Sequence, residues 1–70
     1  MKPMQSNDVK ILRLPTVSET CGLSRSTIYE KINPKSRRYD PEFPKPLKLS
    51  SSAVGWLQHE INHWLLSKKA

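Results

Sequence analysis

Residues 22–29 read GLSRSTIY, and this stretch decides the fold that the sequence predicts. Gly22 readily takes the left-handed backbone conformation that ends a helix, so a first helix would end there in a tight turn. The hydroxyl group of Ser24 can cap a second helix, and Pro34 ends it because proline disfavours the helical conformation at the preceding residue. Two short helices around a glycine turn predict a helix-turn-helix over residues 14–33.

Two further residues match the spacing of a helix-turn-helix. Ser18 is small enough to lie where the two helices cross, four positions before the glycine. Ile28 is the apolar residue that anchors the second helix against the first. A plain helical hairpin is the alternative interpretation of this window.

The second helix carries the residues that would contact a ligand. At 100° per residue, Ile28 and Ile32 turn inward. Ser26, Glu30 and Asn33 lie opposite them, Thr27 and Tyr29 lie on the shoulders and Arg25 at the N-terminal edge, so hydroxyl, amide and phenol groups stay off the buried side. Such groups can reach base edges in the major groove of DNA, and a cation or the free N–H groups of the first turn can hold a phosphate. Glu30 is expected to face solvent, with a cytosine amino group as the alternative partner. The predicted DNA contacts in this segment are Ser24, Arg25, Ser26, Thr27, Tyr29, Lys31 and Asn33.

The charge of the chain indicates the same class of partner. Twelve Lys and Arg against six Asp and Glu give the 70 residues a formal net charge of +6. A surface this basic attracts polyanions, with nucleic acid as the first candidate and an acidic membrane as the second. Seven basic and three acidic residues lie between positions 25 and 48. We therefore expect the phosphate contacts to come from Arg25, Lys31, Arg37, Arg38 and Lys48.

The rest of the chain predicts a loop, a β-hairpin and a third helix. Residues 34–56 are predicted to form a loop followed by the hairpin, because the prolines exclude a helix from the first part of this segment. Two short apolar strings then flank a turn at Ser50-Ser51-Ser52. Residues 57–69 place apolar side chains on one stripe of an amphipathic helix, with both tryptophans at core spacing. Residues 1–10 are polar, show no helical or strand periodicity of apolar residues, and are predicted to form a flexible tail. The sequence thus predicts one mainly α domain over residues 11–70, with a small β-hairpin.

Several other classes of protein are excluded at this stage. A chain this short has no room for a deep substrate cleft, so we expect no enzyme, no cofactor and no small-molecule substrate. Cys21 is the single cysteine, which rules out an intramolecular disulfide. Residues 1–8 lack the apolar stretch of a signal peptide, and no apolar run approaches the ~20 residues of a membrane span. These features predict a cytoplasmic protein without a membrane partner.

One motif favours a different chemistry. Residues 59–63 read HEINH, which matches the HExxH pattern of zinc peptidases. A catalytic zinc needs a third protein ligand, and none of the seven residues after His63 is His, Cys, Asp or Glu. The apolar stripe of the helix also predicts that His59 and His63 face solvent, so we expect no metal site. A further alternative is a protein-interaction module that binds its partner through the C-terminal helix.

Beyond these features, the chain resembles the AlpA family of prophage transcriptional regulators, which belongs with the MerR-like excisionases. The resemblance covers about residues 11–66. It is carried by Arg13-Leu14-Pro15, Gly22-Leu23-Ser24-Arg25-Ser26-Thr27-Ile28-Tyr29, Phe43-Pro44-Lys45-Pro46, Ala53-Val54-Gly55-Trp56-Leu57, Glu60-Ile61 and Trp64-Leu65. It implies a winged helix-turn-helix in which residues 24–29 open the recognition helix and residues 47–56 form the wing.

The resemblance also implies a function. Such a protein would bind duplex DNA sequence-specifically and regulate transcription in a prophage or genomic island, controlling integrase or excision. The alternative is an excisionase-type directionality factor that acts directly at attachment sites. Integrase and RNA polymerase are candidate protein partners. The chain departs from the family at the wing tip, where Ser50-Ser51-Ser52 stand in place of the usual glycine and basic residue.

Overall fold

The computed structural model describes residues 9–69 of the chain. Three helices and one three-stranded antiparallel sheet form it, which confirms the mainly α fold with a β-hairpin. In chain order the elements are β1 (Ile11–Leu12), α1 (Leu14–Cys21), α2 (Arg25–Ile32), β2 (Leu47–Ser50), β3 (Ala53–Leu57) and α3 (Gln58–Ser67). No helix in this part of the chain is long and apolar enough to cross a membrane.

The turn between α1 and α2 forms as its sequence predicts. Gly22 has φ 69° and ψ 28°, in the left-handed region, and its N–H donates to the carbonyl of Ser18. The N–H of Leu23 donates to the same carbonyl over 3.1 Å, and the Ser18 hydroxyl returns a hydrogen bond to the Leu23 carbonyl. Ser18 therefore closes the turn with both its backbone and its side chain, in addition to being small.

Helix α2 has a cap at its start and a stop at its end. The Ser24 hydroxyl accepts a hydrogen bond from the Thr27 N–H at 3.2 Å and so satisfies one of the free donors of the first turn. Asn33 leaves the helix with an extended backbone (φ −95°, ψ 110°), as expected for the residue before Pro34. These two local signals fix the bounds of the helix.

The sheet has the strand order β1-β3-β2, so the hairpin of β2 and β3 is extended by a short third strand. Ile11 pairs with Leu57 and Leu12 with Trp56, while a bulge interrupts the pairing of β2 with β3 beyond Lys48. Gly55 lies where the strands meet. A Cβ atom there would collide with the Ile11 side chain and press on the Leu12 carbonyl oxygen at 3.2 Å, so only glycine fits this close approach.

The hydrophobic core is thin and draws one or two residues from each element except β2, whose four residues are all exposed. Fully buried side chains come from α1, α2, β3 and α3, and the loop between α2 and β2 adds Phe43. Both tryptophans are buried, so they pack in the core as predicted. The core residues are Leu12, Val17, Ile28, Phe43, Trp56, Ile61 and Trp64.

Some predicted boundaries shift in the structure. Helix α1 begins at Leu14, the first residue of the predicted helix-turn-helix, and Pro15 lies in its first turn. Helix α3 covers Gln58–Ser67 instead of residues 57–69, because Leu57 is the last residue of β3, and Lys68 and Lys69 follow the helix. Residues 1–8 of the predicted flexible tail lie outside the described residues. The carbonyl of Lys10 accepts a hydrogen bond from the Gln58 N–H at 2.9 Å, so the sheet holds this end of the predicted tail.

Candidate nucleic-acid interface

Helix α2 presents a short polar surface, which we call the outward face and define as Arg25, Ser26 and Tyr29. All three side chains are exposed, and half of the Tyr29 surface is accessible. At 100° per residue the three positions span an arc of about 100° that lies to one side of the fully buried Ile28. Of the predicted contacts in α2, these three are the ones that the structure brings together on exposed surface.

Ser24 and Thr27 form hydrogen bonds with each other at the start of α2. Their hydroxyl oxygens hydrogen-bond each other at 2.9 Å while the Ser24 oxygen also accepts from the Thr27 N–H. Ser24 is exposed and Thr27 is half-buried. The two hydroxyls therefore support the start of α2, and this pairing limits how far Thr27 can serve as a base contact.

Lys31 lies on the side of α2 that faces α3. Its ammonium nitrogen is 5.4 Å from the ring centroid of Trp64, within the range of a cation–π interaction. Lys68 approaches the same ring at 5.1 Å, and Phe43 packs edge-on against it at 4.8 Å. Lys31 is thus separated from the outward face, and only its charge adds to the basic potential around the helix.

Asp40 joins the loop after α2 to α3. One carboxylate oxygen accepts from the indole N–H of Trp64 at 3.1 Å and lies 3.6 Å from the ammonium group of Lys68. Its other oxygen accepts from the N–H of Glu42 at 2.9 Å. Burial raises the pKa of the Asp40 carboxyl, but these hydrogen bonds and the charges of Lys68 and Lys31 outweigh it and hold the pKa below its usual value.

The loop supplies two of the predicted phosphate contacts. Arg37 and Arg38 are both exposed, and the guanidinium of Arg38 lies 3.6 Å from the carboxylate of Glu30. Sequence reasoning placed Glu30 in solvent and missed this pairing. An exposed ion pair contributes roughly 0–1 kcal/mol, so the pair positions Arg38 beside α2 without preventing it from binding a phosphate.

Asn33 is exposed at the end of α2. Its side-chain oxygen accepts from the N–H of Lys35 at 3.0 Å and shapes the turn that follows the helix. Asn33 therefore lies at the margin of the outward face, beyond Tyr29.

The wing, formed by β2 and β3, carries the last predicted contact. Lys48 is exposed on β2 and is the cross-strand partner of Val54 on β3. Sequence reasoning missed a second cation at the wing: Arg13 donates from its Nε to the carbonyl of Val54 over 3.0 Å. The sequence offers one indication of this contact: Arg13 lies between a short apolar strand and the start of a helix, next to the sheet.

The two histidines of the HEINH motif are exposed on α3, as predicted. They line an open cavity of about 460 Å³ together with Glu42, Pro44 and Glu60. Among residues 9–69 no group of three or more His, Cys, Asp or Glu side chains could hold a metal ion. The geometry of the described chain therefore gives no support to the peptidase alternative.

Comparison with known proteins gives a consistent result. The family model described as prophage CP4-57 regulatory protein (AlpA) matches residues 10–69. The chain is 53% identical over 57 residues to the DNA-binding transcriptional activator AlpA of Escherichia coli (strain K12), covering 81% of each chain. It is 41% identical over 61 residues to the uncharacterized protein ORF88 of Enterobacteria phage P4, covering 87% of this chain and 62% of that protein. No solved structure matches the chain.

A family match from residue 10 to residue 69 includes every helix and strand of the structure. Identity of 53% over 81% of both chains is also far above the level at which a shared fold is in question. The resemblance seen in the sequence is confirmed, and the chain belongs to the family of the prophage regulatory protein AlpA.

Proposed function

We propose that this protein is a sequence-specific duplex-DNA-binding transcriptional regulator that reads its site with the outward face of α2. The observation that carries the proposal is the placement of Arg25, Ser26 and Tyr29 on exposed surface while Ile28 anchors the same helix in the core. The name of the Escherichia coli relative, a DNA-binding transcriptional activator, supports the same function.

The dimensions of α2 suit the major groove. A helix with its side chains is about 10–12 Å across, which the ~12 Å wide major groove admits, and the eight residues of α2 extend about 12 Å along its axis. The N-terminal residues of a recognition helix contact base edges in the usual docking geometry. Arg25 and Ser26 are the first two residues of α2, and Tyr29 follows one turn later on the same side.

Phosphate contacts would supply most of the affinity. We assign them to Arg25 on the helix, Arg37 and Arg38 in the loop, and Lys48 on the wing, all of which are exposed. Lys31 contributes through its charge beside Trp64. Base reading falls to Ser26 and Tyr29, with Asn33 at the margin, whereas the hydroxyls of Ser24 and Thr27 support the helix that presents them.

The proposal is tested by comparing variants on a preferred duplex and on a scrambled one. Ser26→Ala and Tyr29→Ala should reduce the preference for the selected sequence by roughly 5- to 150-fold, since one base contact is worth about 1–3 kcal/mol. Their affinity for scrambled DNA should stay close to that of the wild type. An equal loss on both duplexes would contradict the assignment of base reading to the outward face.

The finer proposal is that the protein controls integrase or excision genes of a prophage or genomic island. The prophage description of its family and the phage origin of one relative support this setting. Action on such DNA would place the protein in the cytoplasm. Footprinting across the neighbouring integrase promoter and attachment site tests the proposal. Protection of the promoter is the expected result, and protection confined to the attachment site would favour an excision factor instead.

A further inference from the structure

We propose that the wing binds the DNA backbone through Arg13 and Lys48, on either side of Val54, rather than through the serines of its turn. This inference rests on the proposed binding of duplex DNA and adds a contact residue that lies outside both the recognition helix and the hairpin. It assigns a phosphate of the duplex as the ligand of the Arg13 guanidinium group.

The sheet fixes the position of Arg13. The Gln58 N–H reaches the carbonyl of Lys10 on the β1 side of β3, and backbone groups of alternate residues in a strand point to the same side. The carbonyl of Val54 therefore points toward β1, which ends at Leu12. The Nε of Arg13 donates to that carbonyl at 3.0 Å and takes the place of a further strand residue.

The anchored guanidinium keeps most of its donors for a ligand. Arginine has five N–H donors in a rigid fork, and the hydrogen bond to Val54 uses one of them. The ion pairs found within residues 9–69 join Arg38 to Glu30 and Lys68 to Asp40, and neither involves Arg13. Holding one N–H on the backbone also lowers the rotamer freedom that a phosphate contact would otherwise remove.

Lys48 lies on the other side of the same residue. It is the cross-strand partner of Val54 and is exposed, while 37% of the Val54 surface is accessible. Arg13 and Lys48 therefore stand on opposite edges of β3, roughly two strand spacings or ~10 Å apart, with an exposed apolar side chain between them. The wing thus carries two cations across its width at Val54, one residue pair before the last pair of the hairpin, Ser50 and Ala53.

The tip of the wing has no comparable group. Ser50, Ser51 and Ser52 are exposed and uncharged, and the N–H of Ser52 already points at the Ser50 hydroxyl, 3.4 Å away. Backbone affinity depends mainly on cations that replace condensed counterions, so the charges on either side of Val54 outweigh the hydroxyls at the tip.

Arg13 also lies beside the helix-turn-helix. Arg13 is the residue immediately before α1, and α1 packs against both α2 and β3. When the second helix of such a motif enters the major groove, the first helix crosses the sugar-phosphate backbone. The start of α1, and Arg13 with it, is therefore close to the backbone whenever the outward face of α2 is in the groove.

The experiment measures duplex affinity against salt concentration for five chains: wild type, Arg13→Gln, Arg13→Lys, Lys48→Gln and the control Lys69→Gln. One lost phosphate contact should lower the magnitude of the logarithmic salt slope by about 0.9. We expect that decrease for Arg13→Gln and for Lys48→Gln. Arg13→Lys should keep the slope because it keeps the charge, and Lys69→Gln, which removes a charge beyond α3, should also keep it.

Thermal unfolding of each variant shows whether the substitution destabilises the fold, and the salt slope shows whether a phosphate contact is lost. If Arg13 only ties the sheet to α1, Arg13→Lys and Arg13→Gln will lose affinity alike, with the slope of the wild type, and the proposal is overturned. A slope for Arg13→Gln equal to that of the Lys69→Gln control has the same meaning. A wild-type chain that binds no duplex would instead overturn the proposed function itself, and this inference with it.

Discussion

Asp40 ties the loop after α2 to α3 through one carboxylate, which accepts from Trp64 and pairs with Lys68. Because its pKa is lowered in the folded state, its contribution to stability is present above the usual value of 3.8 and is lost as the pH falls through the lower, folded-state pKa. We predict that Asp40→Asn lowers the melting temperature at pH 7 and flattens the decline of stability below about pH 5.

Melting temperatures measured between pH 2 and 7 check this prediction. The matched control is Glu19→Gln, which removes an exposed carboxylate from α1 and should keep the pH dependence of the wild type. If Asp40→Asn and the wild type lose stability in parallel on acidification, the carboxylate does not hold the loop through its charge.

Arg25 is the cation closest to the proposed base contacts. We predict that Arg25→Ala weakens duplex binding at every sequence and lowers the magnitude of the salt slope by about 0.9, because one phosphate contact is lost. Salt titrations on preferred and scrambled duplexes give both quantities. An unchanged slope would show that Arg25 makes no backbone contact, and a loss on the preferred duplex alone would make it a base reader.

At the level of residues, sequence reasoning succeeds where the signal is local. The helical period places Ser26 opposite Ile28 and Tyr29 to one side of it, and both are exposed in the structure. Arg38 lies 8 positions from Glu30, and Trp64 and Lys68 lie 24 and 28 positions from Asp40 along the chain. No periodicity reports such pairs, and the burial of Phe43 in a loop likewise depends on how the helices pack.

The start of α2 depends on the Ser24 cap and its hydrogen bond to Thr27. We predict that Ser24→Ala lowers the free energy of unfolding by about 1 kcal/mol, the usual value for a lost N-cap. Ser26→Ala is the matched control, since it removes the same hydroxyl from an exposed site in the same helix and should change stability by less than about 0.5 kcal/mol. Urea denaturation followed by circular dichroism measures both.

Equal stabilities of the two variants would contradict the capping role of Ser24.

The bounds of the helices also depend on local signals in some places and on distant contacts in others. Helix α2 starts and stops where Ser24 and Pro34 require, so its sequence predicts both ends. The start of α3 at Gln58 is set by the pairing of Leu57 with Ile11 on β1, a contact across 46 positions that overrides the amphipathic stripe.

Across the whole molecule, the fold places the helix-turn-helix and the wing on a common core through α1, which packs on both α2 and β3. The sequence predicts this class of fold because its turn residues, caps and apolar strings all agree. It predicts the net charge of +6 but not its layout. Lys31 turns toward Trp64 and Arg13 turns toward the wing, and both orientations arise from packing between elements.

Contact between the outward face of α2 and duplex DNA can be measured by chemical-shift mapping. Isotope-labelled protein is titrated with a duplex that contains its preferred site, and each backbone amide is followed. We predict the largest shifts for residues 24–29, with smaller ones at Arg13 and Lys48. Shifts confined to the exposed side of α3 around His59 and His63, with residues 24–29 unmoved, would contradict the proposed contact.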